Sequence, residues 1–225
     1  MSNVSTAAAK NPASLSKTKG MTQVALFSAL IILMAFTPFL GYIPLGFTRA
    51  TIIHIPVIIG ALGLGPKKGA FLGFVFGLTS LINNTMNPTP TSFVFTPFYS
   101  LGEYSGGLQS LIICFIPRIL IGIVPYYVYH FIKKIIKSPK VSALGLVLSG
   151  ISGALTNTLL VMNLIFLFFR EGYASANEVA SNAVYGFILS VIGINGVPEA
   201  IVAGILTLLI GKVLLNPNVR SKLGF

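Results

Sequence analysis

Long apolar runs separated by short polar or basic joints dominate the chain, and their lengths predict its elements. Residues 22–39 form a first run, close to the roughly 20 residues that a helix needs to cross a bilayer core. A short lysine-free turn over 41–46 follows, and Arg49 opens a second apolar run that ends at Gly65-Pro66-Lys67-Lys68. Pro66 cannot continue a helix and Gly65 suits a C-terminal cap, so two antiparallel helices reverse direction there. The chain returns through a third helix over 69–82, on which Gly69, Gly73 and Gly77 recur at every fourth position. That smooth stripe lets another helix approach the backbone closely.

The second half follows the same rhythm. Residues 83–107 carry Pro88, Pro90 and Pro97 among threonines, serines and aromatics, and read as an ordered loop because Phe93, Phe95, Phe98 and Tyr99 need burial. A fourth helix covers 108–132, with kinks expected at Pro117 and Pro125. Lys133, Lys134, Lys137 and Lys140 separate it from a fifth helix over 141–168, and 170–182 is a polar loop. The last apolar stretch, 183–215, is too long for one span. Asn195-Gly196-Val197-Pro198-Glu199 has the pattern of a helix start, with a capping Asn followed by a Pro and an acid in the first turn. A sixth helix is therefore placed over 197–215 and residues 183–194 are read as a re-entrant or lid segment, with one continuous kinked helix as the competing reading.

Composition turns this pattern into a membrane protein. Of 225 residues, 54% are hydrophobic and 8% charged, and the mean hydropathy is +0.89. The formal charge is +11, and twelve of the fifteen Lys and Arg residues fall in the N-terminal tail, the Pro66 turn, the Lys133 cluster and the C-terminal end. Lysines and arginines are retained on the cytoplasmic side, which gives an all-α membrane protein of six transmembrane helices with both termini cytoplasmic and an ordered outer loop between helices 3 and 4. The expected divisions are a disordered cytoplasmic tail over 1–20, a six-helix membrane domain over 21–216 and a cytoplasmic tail over 217–225. The first apolar run is longer than the core of a signal peptide and lacks a small-x-small cleavage site.

Several chemistries are excluded. Aspartate is absent and the four acids are Glu103, Glu171, Glu178 and Glu199, which rules out paired-aspartate catalysis, a Walker-B site and a Ser/His/Asp triad. Gly60-x4-Gly65-Pro66-Lys67 superficially matches a phosphate loop, but proline stands where the lysine belongs and no Ser or Thr follows. Cys114 is alone, and His54 and His130 have no partner at metal-ligand spacing. The basic residues flank apolar segments, leaving no soluble module for nucleic acid. The chain is therefore read as a non-enzyme that binds no cofactor of its own.

What remains is polar chemistry inside a membrane. An arginine at the centre of a spanning helix costs roughly 2.5–3.5 kcal/mol even on insertion scales, so Arg49 and Arg118 require partners. Arg49 either snorkels to the interface or binds an anion; Arg118 either pairs internally with Glu199 or a carbonyl, or serves a site. Asn83, Asn84, Asn87, Tyr99, Glu103, Asn157, Asn163, Asn195 and Glu199 fall near the outer helix ends, and converging amides with a cation are what a small polar solute needs.

These residues resemble those of a known family, the S-components of energy-coupling factor (ECF) vitamin transporters. The likeness covers about 22–215 and rests on six helices, the Ala25-x-x-x-Ala29 pair on helix 1, the Gly65-Pro66-Lys67-Lys68-Gly69-Ala70 turn and Asn195-Gly196-Val197-Pro198-Glu199. Ile55-Pro56-Val57-Ile58-Ile59-Gly60, Leu81-Ile82-Asn83-Asn84-Thr85 and Ser92-Phe93-Val94-Phe95 look most like the pantothenate-specific members. The resemblance implies a substrate-capturing subunit, working with a transmembrane scaffold and two cytoplasmic ATPases that hydrolyse ATP. Ala25 and Ala29 would contact the scaffold. Pantothenate needs a cation for its carboxylate, which this reading assigns to Arg49 with Arg118 as the next candidate. Its polar atoms would meet Asn83, Asn84 and Tyr99, with Asn157, Asn163 and Asn195 as further contacts and Phe95 against the gem-dimethyl group. Folate, a pyridoxine-type compound or riboflavin would be the alternative substrates, and an autonomous secondary transporter the alternative class.

Overall fold

The computed structural model describes residues 12–37, 40–44, 49–136, 141–216, 218–219 and 221, and the side chains of 12–17, 42–50 and 141–142 lie outside that description. Residues 1–11, Lys137, Lys140 and most of the expected C-terminal tail also lie outside it. The described residues fold as eight α-helical segments with two short β-hairpins: α1 (Pro12–Phe36), β1 (Tyr42–Pro44), β2 (Arg49–Thr51), α2 (His54–Leu64), α3 (Pro66–Met86), β3 (Ser100–Leu101), β4 (Tyr104–Ser105), α4 (Leu108–Ile121), α5 (Val124–Ile135), α6 (Val141–Ala176), α7 (Val184–Val191) and α8 (Val197–Leu214). Among the described residues, five stretches are long and apolar enough to cross a membrane: Thr18–Phe36, Pro66–Met86, Leu108–Ile135, Ala143–Ala176 and Val184–Leu214.

The second apolar run departs from its expectation. Arg49 does not open a helix; it lies in β2, which pairs antiparallel with β1 through Tyr42↔Thr51, Ile43↔Ala50 and Pro44↔Arg49. The hairpin lets both strands satisfy their backbone polar groups against each other. The helix itself begins at His54 and has 11 residues, roughly 16 Å at 1.5 Å per residue, about half a bilayer core. Every residue from His54 to Leu62 is buried. A helix enclosed on all sides needs no amphipathic pattern, and α2 contacts α1, α3, α5, α6 and α8.

The turn after α2 forms as the sequence predicts. Gly65 takes φ +93°, a conformation that glycine adopts at no steric cost, and its N–H bonds the Ala61 carbonyl; Pro66 then occupies the first turn of α3. The glycine stripe of α3 faces α4. A Cβ on Gly73 would run into the carbonyl of Arg118, one on Gly69 into the carbonyl of Gly122, and one on Gly77 into the Phe115 ring.

The expected fourth helix is two segments. It breaks at Gly122-Ile123, ahead of Pro125 in the first turn of α5, while Pro117 lies inside α4. The fifth helix continues to Ala176 through non-helical dihedrals at Phe169, so much of the anticipated polar loop is helical. Residues 12–20, expected in the tail, are helical as well, because elongating an existing helix is far easier than nucleating one. The lid reading of 183–194 is overturned: α7 runs into α8 through a π-helical turn, Ile192–Gly196, which makes one continuous helical stretch over Val184–Leu214. Asn195 is not a cap either, since the capping position falls on Gly196 in helical geometry with no side-chain cap bond.

Two apolar clusters flank the middle of the bundle. One gathers Ile31, Ile53, Ile58, Leu62, Leu72, Phe76, Ile121, Tyr129 and Leu146; the other gathers Phe93, Val94, Ile113, Val161, Ile165, Tyr173, Val184 and Ile188. The first lies toward the end that carries the lysines. Gly20, next to Lys19, sits against the Lys68 side chain, and Gly211, next to Lys212, packs on Leu146 near the start of α6.

Candidate functional site

A polar cavity of about 450 Å³ opens between the two apolar clusters, within the size range of small-molecule sites. Three helix faces build it. From α3 come Phe76, Ser80, Asn83, Asn84 and Asn87, spaced so that they fall on one side of the helix. From α6 come Asn157, Thr158, Val161 and Met162, and from the α7–α8 helix come Val191, Asn195 and Glu199, each four residues after the last. Thr51 of β2, Thr89, Thr91 and Phe95 of the loop, and Arg118 of α4 also line it.

Arg118 is buried, at 7% exposure. Its Nη1 donates to the Ile113 carbonyl at 2.7 Å. Its guanidinium carbon lies 5.2 Å from the centre of the Phe95 ring and 5.8 Å from that of Phe76, so two aromatic faces stabilise the charge. Glu199 is equally buried. Its Oε1 accepts the Thr51 N–H at 2.5 Å and its Oε2 the Thr158 hydroxyl at 3.4 Å, which ties the first hairpin and α6 to α8 at the cavity wall.

The asparagines divide by role. Asn84 donates to the Ser80 carbonyl at 2.8 Å and accepts the Ser92 hydroxyl at 2.9 Å, while Ser92 Oγ also accepts the Thr89 N–H at 2.8 Å. It therefore fastens the loop to α3 as well as lining the cavity. Asn83 accepts from Asn87 Nδ2 at 3.0 Å. Asn157 and Asn195 each keep a buried Oδ1 with no hydrogen-bond partner among the described residues. A ligand donor would relieve such atoms, whose isolation costs about 1–3 kcal/mol apiece.

The structure thus brings together Asn83, Asn84, Phe95, Asn157 and Asn195 of the residues singled out in the sequence. Asn163 is exposed and donates to the Leu159 carbonyl at 2.7 Å, and Tyr99 packs on the Phe93 cluster; neither lines the cavity. The Arg49 side chain lies outside the description. Arg118, the next candidate in the sequence, lines the wall, as do Ser80, Thr51, Thr158 and Glu199. Ser80 was recoverable from its helical spacing to Asn83, Asn84 and Asn87.

Ala25 and Ala29 are exposed on α1 beside Leu26, Leu30 and Leu33, whereas Val24, Phe27, Ile31, Met34 and Ala35 face the bundle. The alanines are not consumed by internal packing.

A family model described as "ECF transporter, substrate-specific component" matches residues 19–211. The chain belongs to this family. Among curated relatives, the Pantothenic acid transporter PanT of Lactococcus lactis subsp. cremoris is 40% identical over 185 residues, 79% of this chain and 90% of that protein. The Pantothenate transporter PanT of Leuconostoc mesenteroides subsp. mesenteroides is 31% identical over 204 residues, 88% of this chain and 93% of that one. The ECF substrate-specific components are transport subunits rather than enzymes. Five candidate spans make this member a multi-pass membrane protein.

Proposed function

We propose that this ECF component captures pantothenate at the outer face of a bacterial cytoplasmic membrane and delivers it inward with a scaffold subunit and two ATPases. The observation that carries the reading is the cavity itself. It sets a guanidinium for a carboxylate beside amides and hydroxyls for an amide and a diol, with Phe95, Val161 and Met162 as apolar wall for a gem-dimethyl group. The names of the two relatives support the same vitamin. Arg118 takes the carboxylate, and Asn83, Asn84, Asn157 and Asn195 take the polar atoms. The chain makes six passes, the hairpin and α2 together forming the second, with both termini and the Lys67 turn in the cytoplasm. A cysteine at Lys67 is expected to label only from inside and one at Thr89 only from outside, Cys114 being buried. Outside labelling at position 67 would reverse the orientation.

Coupling is tested in proteoliposomes. Pantothenate uptake is expected only when the scaffold and ATPases are reconstituted with this chain; uptake by the chain alone, driven by an ion gradient, would make it a secondary transporter. Ala25 and Ala29 form the scaffold contact, where small side chains permit close helix approach. Ala29→Trp is expected to abolish ATP-driven uptake while the isolated subunit still binds pantothenate with unchanged affinity. Equal loss of binding and uptake would assign the alanine to internal packing.

A further inference from the structure

Pro117 lies inside α4, four residues after Ile113. A proline carries no N–H, so the bond that residue 117 of a regular helix would donate to the Ile113 carbonyl does not exist. In a buried, membrane-embedded helix that carbonyl requires a donor from elsewhere. It receives one from the very next side chain, Nη1 of Arg118 at 2.7 Å. Ile113, Pro117 and Arg118 are all buried.

We infer that Pro117 is a positioning residue for Arg118. By withholding its N–H it reserves the Ile113 carbonyl for the guanidinium, which is drawn back along α4 toward its N-terminal end, the direction in which helical side chains already lean. The tether leaves the cation against Phe95 and Phe76 on the cavity wall. One nitrogen of the fork is bonded to the carbonyl, which helps to fix the orientation of the planar group. This inference rests on the reading of Arg118 as the partner of the ligand's carboxylate. It explains why the dipeptide Pro117-Arg118 stands in the middle of an apolar helix, where either residue alone would be costly.

The test is a titration of the purified full-length protein with pantothenate and with pantothenol, which has an alcohol in place of the carboxylate. Pro117→Ala restores the N–H, so the Ile113 carbonyl returns to the helical ladder and Arg118 loses that hydrogen bond. The expected result is a loss of pantothenate affinity on the order of fivefold, a fraction of the loss from removing the arginine, with pantothenol affinity unchanged. In an Arg118→Ala background the proline substitution is expected to change neither affinity, because the two residues act through one group. Pro117→Val also restores the N–H at similar bulk and serves if the alanine variant packs poorly. The inference is overturned if Pro117→Ala and Pro117→Val leave the pantothenate-to-pantothenol ratio unchanged, or lower both affinities equally, while Arg118→Ala alters that ratio. An unchanged ratio in Arg118→Ala itself contradicts the carboxylate reading, and the inference with it.

Discussion

Replacing Arg118 with alanine is expected to weaken pantothenate binding by about tenfold to a hundredfold, the loss of one charge-assisted hydrogen bond of roughly 1.5–3 kcal/mol. Pantothenol, which carries no charge for the guanidinium to meet, is expected to lose far less. The contrast between the two ligands matters because Arg118 also holds the Ile113 carbonyl and stacks near Phe76 and Phe95. Damage to those contacts would lower both affinities together, whereas loss of a carboxylate partner lowers one. Arg118→Lys is expected to recover only part of the difference, since an ammonium lacks the planar fork that a carboxylate meets with two parallel hydrogen bonds. Isothermal titration of the wild type and both variants against the two ligands measures this directly.

The second large effect is expected at Gly73. A Cβ there would meet the backbone carbonyl of Arg118 and the Cα of Ile119, and backbone cannot rotate out of the way as a side chain can. Gly73→Val therefore forces α3 and α4 apart, at a cost of about 1–3 kcal/mol or more for overpacking. Since α3 and α4 carry Asn83, Asn84 and Arg118, the same displacement spreads the cavity wall, so a lower thermal midpoint in detergent and weaker pantothenate binding are expected together. Gly186 provides the control: its Cβ position is open, and Gly186→Ala is expected to leave the midpoint unchanged or raise it slightly. Equal midpoints for Gly73→Val and Gly186→Ala would show that the stripe is not a packing surface.

These two positions also show what the sequence disclosed. The stripe at Gly69, Gly73 and Gly77 was legible because helical geometry puts every fourth residue on one face, but which helix it received was not; that pairing is a long-range fact. The α3 wall was legible for the same reason. Asn163 could have been set aside at that stage, since six residues at about 100° each place it some 240° around the helix from Asn157. Tyr99 sits in a loop, where no periodicity indicates which side chains point inward. The β1–β2 hairpin was hidden because a short apolar run reads equally as strand or buried helix. Glu199 was visible as an acid in the first turn of the last helix and a candidate partner of Arg118, but its tie to Thr51 spans 148 residues and depends on that hairpin. Arg118 stood out as a charge in an apolar helix, and only the geometry of α4 joined it to the proline before it.

The central claim is that the cavity selects pantothenate among the vitamins, and binding by the purified chain tests it most directly. Titration with pantothenate, folate, pyridoxine and riboflavin is expected to give one saturable site for pantothenate and no heat of binding for the other three. Saturable binding of any of those three by a protein that ignores pantothenate would contradict the account.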